Sequence, residues 1–145
     1  MVQWPEQASR QAQDDFERLL PSAMRTAHLE LAQRGEFWPF AVVVDVDGDL
    51  HQAAFQPDRN RPEPGEVLAE LRRALRADDQ HNRAVALVLD VHVPELGSDC
   101  IEVTLEHLGS PAVAVQRPYT RRRFGGRVTY QPDVVVPGRA TVLTG

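Results

Sequence analysis

Lysine is absent: all 16 basic residues of the 145-residue chain are arginine. With alanine and valine also abundant, this reads as the codon bias of a GC-rich genome, so arginine usage alone is no evidence for phosphate recognition. Cysteine occurs once, at Cys100. One thiol excludes an intrachain disulfide and any cysteine-based metal cluster within the chain. The longest uninterrupted apolar run, Ala84 to Leu89, is far short of the roughly 20 residues that cross a bilayer. The opening MVQWPEQASRQAQDD has neither a basic nor an apolar leader pattern, so a cytoplasmic protein without membrane contact is expected. Nucleotide-binding, nucleophile-elbow and kinase signatures are missing, as are paired histidines at metal-ligand spacing. No cofactor and no metal is therefore expected. A site assembled from distant residues leaves no such local trace.

What is present suits one α+β domain spanning 1–145. The length is enough to bury a core without staples. Phe37 to Phe55, FWPFAVVVDVDGDLHQAAF, reads as a β-hairpin about Asp47-Gly48, with Val44 opposite His51, Val42 opposite Ala53 and Phe40 opposite Phe55. Before it, Phe16, Leu20, Met24, Ala27 and Leu31 recur at helical spacing, and Gly35 is a natural stop. Pro21 interrupts that pattern, which predicts two helical segments within an N-terminal region, 1–35. Gln56 to Gly65 reads as an exposed, mobile, proline-containing loop. A second helix follows to Ala77, with Val67, Leu68, Leu71, Ala74 and Leu75 forming its apolar stripe and Arg72, Arg73 and Arg76 on its solvated side. Arg83 to Val93 alternates as a strand whose odd-numbered side is the expected core face. Further strands are predicted around Ile101 to Leu105, Val113 to Val115 and Val128 to Tyr130, then an irregular tail from 132. The order predicts a two-layer fold: an antiparallel sheet of about five or six strands with helices packed on one face. The alternate sheet face collects Ala41, Ala54, Ala84, Ala86, Ala112 and Ala114. Side chains this short invite cover by a second protomer, a partner or the N-terminal segment.

Three constellations bear on function. Asp45-Val46-Asp47-Gly48-Asp49 resembles the start of a calcium loop, but the required bidentate acid would fall at Ala54, so an ordinary turn is expected. Asp90 and His92 share a strand face that is expected to carry Glu102 and Glu106 too, an acid–base set on which a small enzyme would rely. The segment Tyr119 to Tyr130 joins Tyr119, Arg121, Arg122, Arg123, Phe124 and Arg127, with no acid between Arg117 and Arg127, while the rest of the chain is strongly acidic. The net charge of −5 disfavours nucleic acid as the partner of this segment, which leaves an acidic protein, self-association or the acidic body of its own domain to meet it. The leading expectation is thus a non-catalytic protein-binding module of adaptor or immunity type, with the small enzyme as the alternative.

EFWPFAVVVDVDGDL, NRAVALVLDVHVP and AVQRPYTRRRFGGRVTY together resemble a family of small uncharacterised bacterial proteins. Its marks are a (Phe/Tyr)-x-Pro-Phe opening, an Asp-Gly hairpin and a Pro-Tyr before a basic stretch. The resemblance implies a compact bacterial domain and brings no catalytic residue with it.

Overall fold

The computed structural model describes residues 2–54, 63–121 and 127–143. Helix α1 (Arg10–Arg34) begins where Ser9 Oγ accepts the Ala12 N–H and ends at Gly35, whose φ of 77° lets its N–H return to the Leu31 carbonyl. The stripe read from the sequence is buried along its length. Pro21 lies inside this single helix, which corrects the expectation of two segments. The proline is exposed, so its missing hydrogen bond falls on the solvent side, while both halves of the stripe bury against the same strands.

The chain is an α+β fold built on an antiparallel sheet. Strands β1 (Phe40–Asp45), β2 (Leu50–Ala54), β3 (Asn82–Val93), β4 (Ser98–His107), β5 (Ser110–Arg121) and β6 (Val128–Tyr130) are ordered β2-β1-β3-β4-β5-β6. β7 (Val134–Pro137) pairs with β5 as well, so the tail expected to be irregular contributes a strand. Helix α2 (Pro64–Ala77) joins β2 to β3.

The hairpin register differs by one residue from the predicted one: Phe40 faces Ala54, Val42 faces Gln52 and Val44 faces Leu50. The loop holds three residues, not two. Asp45 donates its N–H to the Asp49 carbonyl, the Gly48 N–H closes on the Asp45 carbonyl, and Gly48 takes φ 89°. Asp45 Oδ1 accepts the N–H groups of both Asp47 and Asp49 at 2.9 Å, and this favours the longer loop. The carboxylate is thereby held below its ordinary pKa, first by the Asp49 N–H and then by His51. Phe55 and most of the expected 56–65 loop lie outside the described residues.

Both faces of the central strands are buried. Phe40, Val42, Val44, Ala84, Ala86, Val88, Ile101, Val103 and Leu105 pack under α1. Ala41, Val43, Val85 and Leu87 pack with Leu71 and Leu75 of α2 and with Val142 and Leu143. The odd-numbered side of β3 is therefore one of two core faces. The predicted alanine face is also divided: Ala84 and Ala86 lie under α1, whereas Ala41 lies under α2. The one-residue register change moved β1 and β2 relative to each other. Each short side chain on β3 sits beside a larger one on β1, Ala86 by Val42 and Ala84 by Val44, which lets α1 lie close.

Two buried acids lock the layers. Asp15, only 1% exposed on α1, receives the Arg83 guanidinium fork at 2.9 Å through both oxygens and meets His107 Nε2 at 3.1 Å. Glu106, equally buried, accepts the N–H groups of Val142 and Leu143 at 3.0 and 2.9 Å and so ties the tail to the sheet.

Candidate functional site

The structure separates the acid–base set expected from the sequence. Pairing places Asp90 opposite Ile101 and His92 opposite Asp99, whereas Glu102 lies opposite Leu89 and Glu106 opposite Val85. Directly opposed residues share a face, so Asp90 and His92 are on the α1 side and Glu102 and Glu106 on the reverse. The expected grouping was out of phase by one residue across the β3–β4 turn. Each member has another partner: His92 Nδ1 lies 2.9 Å from Asp99, Glu102 takes a hydrogen bond from Gln116, and Glu106 holds the tail. Among the described residues, no group of three or more His, Cys, Asp or Glu is placed to hold a metal ion.

Asp90 instead meets a member of the predicted basic segment. The Tyr119 hydroxyl donates to Asp90 Oδ1 at 2.6 Å. Burial pushes the carboxyl above its ordinary pKa, and burial with the Asp90 charge pushes the phenol up as well. Two strands on, Arg121 lays its guanidinium over Gly35, where a Cβ would come within 2.8 Å of Nη1. The glycine thus serves both the left-handed helix stop and the close approach of a cation. Arg127 is exposed; Arg122, Arg123 and Phe124 lie outside the described residues. At this same end of the sheet, Phe37, Trp38, Pro39, Leu68, Leu89 and Asp90 help to line a depression of about 280 Å³. Trp38 is 37% exposed at its rim.

A second cleft, of about 690 Å³, opens between α1 and the outer strands. Its polar centre is His28, Arg117 and Asp133, with Arg25 nearby. Arg117 forks onto Asp133 at 2.6 and 2.9 Å and donates through Nη1 to His28 Nε2 at 3.2 Å. A guanidinium accepts nothing, so the imidazole there is neutral and carries its proton on Nδ1. The ring stacks on Tyr130 with centroids 3.8 Å apart. Burial, then the Arg117 charge, lowers the His28 pKa, whereas Asp133 opposes the shift. No local pattern marks this group, because His28 and Arg117 stand 89 positions apart and meet only through α1 packing.

No helix of the described residues is long and apolar enough to cross a membrane. Comparison with family models, with curated proteins and with solved structures yields no match.

Proposed function

We propose that the chain is a non-catalytic protein-binding module, of adaptor or inhibitor type, which meets an acidic partner at the end of the sheet bearing Trp38 and Arg121. The observation that carries this reading is the half-exposed Trp38 at the rim of an apolar depression. Arg121 and Arg127, the described cations of the Tyr119–Arg127 segment, border the same end. Trp and Arg beside a pocket are the side chains on which interface energy concentrates, since a large ring fills a partner's concavity and a guanidinium forks onto a carboxylate. Tyr119 supports the position from beneath: its bond to Asp90 fixes β5 where Arg121 leaves the sheet. Affinity capture from the source cell with wild type, Trp38→Ala and Arg121→Glu tests the reading. One protein retained by wild type should fall at least tenfold with both variants at unchanged circular dichroism. Equal recovery on all three would sink it.

The alternative, a small acid–base enzyme, draws on the His28 cleft more than on His92, because a substrate that replaced the Arg117 hydrogen bond would free Nε2 of a neutral imidazole beside an open cleft. A compound that shifts the His28 ring resonances in NMR and is chemically converted by the wild type, but not by His28→Gln, would establish it.

A further inference from the structure

We infer that the cleft between α2, β4, β5 and the β7 tail binds a small phosphate-bearing ligand. The cleft measures about 780 Å³, within the size range of small-molecule sites. Arg72, Arg76 and Arg139 line it, against one carboxylate, Glu102, which already receives Gln116 Nε2 at 2.9 Å. Arg72 and Arg76 are one helical turn apart, a like-charge spacing that destabilises a helix unless an anion lies between or beside the pair. None of the three arginines has a carboxylate partner among the described residues, unlike Arg83 on Asp15 or Arg117 on Asp133. Arg72 Nε is buried and donates to nothing among the described residues. A buried donor without an acceptor is costly, so Arg72 is held at an expense that no described residue offsets.

The charge balance selects the ligand. Three guanidiniums and one carboxylate leave two positive charges, which match a phosphomonoester near neutral pH, whose charge approaches −2 above a second pKa near 6. A lone carboxylate would leave one of them unmatched. Leu89, Val136 and Pro137 offer an apolar strip for the ligand body.

The walls are fixed in advance. Arg76 Nε donates to the Thr141 carbonyl at 2.7 Å, Glu106 grips the next two residues, and Gly138 donates its N–H to Ala112 at 2.9 Å. A Cβ at Gly138 would stand 2.8 Å from the Val113 backbone, so only glycine lets the tail lie this close and brings Arg139 to the cleft.

Calorimetric titration at low salt with inorganic phosphate and glycerol phosphate, beside sulfate and citrate, tests the site. Both phosphate probes should bind, more tightly at pH 7.5 than at pH 5, and Arg76→Ala and Arg139→Ala should each weaken them at least tenfold. Both residues are exposed, so these variants should keep the fold even where Arg72→Met does not. Arg34→Ala, on the far helix, should bind as wild type. Absence of phosphate binding at millimolar concentration, equal affinity in the Arg76 and Arg139 variants, phosphate affinity as indifferent to pH as that of sulfate, a dianion at both pH values, or citrate binding as tightly as phosphate would each overturn the assignment.

Discussion

At the scale of the residue, polar groups divide into buried ones that hold the fold and half-buried ones that border a cleft. Asp15 and Glu106 belong to the first kind. Glu106 shows how alternation misleads: among Glu102, Thr104 and Glu106 it reads as one more side chain on a wet face, and only the tail, folding back more than thirty residues later, makes it a buried anchor. His28 belongs to the second kind and gives the molecule a pH response with a definite sign. Its folded pKa is below the ordinary 6.5, so its contribution to stability is fully present above 6.5 and is lost as pH falls through the lowered folded value. Asp90 acts in the opposite sense, since burial raises its pKa and ionising it as pH rises above 3.8 costs stability. Urea unfolding at pH 7.5 and pH 5 should therefore show a smaller loss on acidification for His28→Gln, which keeps an acceptor toward Arg117 but does not titrate. Equal losses in wild type and variant would show that the imidazole is not held neutral by its surroundings.

At the scale of the element, the strands were legible and their phases were not. Alternating apolar residues located β3, β4, β6 and the middle of β5, whose continuation to Arg121 they did not mark, because one residue in two must face a core whatever that core is. Asp-Gly marked the hairpin but did not reveal loop length. That choice rests on the Asp45 carboxylate capping two N–H groups, and a two-residue turn with the same glycine reads alike in sequence. With both faces of β1 and β3 buried, no polar side remained to fix which helix each face would meet. Helix α1 poses a cleaner question. Pro21 sits in its interior, where a proline costs about 3 kcal/mol relative to alanine, partly offset by the stiffness it gives the unfolded chain. Pro21→Ala should accordingly stabilise the protein by about 1–2 kcal/mol and raise its melting temperature by several degrees. A lower melting temperature would mean that the break is needed to fit α1 to the sheet.

At the scale of the whole molecule, the small side chains have a covering within the same chain. Ala86 has no exposure and lies under α1, one of the three covers that the alanine-rich pattern suggested. A second protomer is not required to explain it. Ala86→Arg would bury an unpaired charge beneath the helix, at a cost of several kcal/mol, so loss of cooperative unfolding is the expected result. A variant that stays folded but sediments at a changed mass would return the face to a role between chains. Charge, too, is arranged at this scale: the acid-free run from Arg117 to Arg127 was visible in the sequence, whereas the gathering of Arg72, Arg76 and Arg139 from a helix and a tail was not.

The position of α1 also sets a timetable for synthesis. Its apolar stripe is complete at Arg34, but of the strands it covers β4 closes only at His107, roughly seventy residues later, and β5 later still. At the usual pace of translation the stripe waits roughly 4–15 s before the surface it fits has been made. During that interval the nascent helix has only the β1–β2 hairpin to lean on, and α2 arrives before any strand that completes the cover. A ribosome-bound chain halted between Ala77 and His107 would thus display an unsheltered amphipathic helix, the kind of segment that holding chaperones recognise.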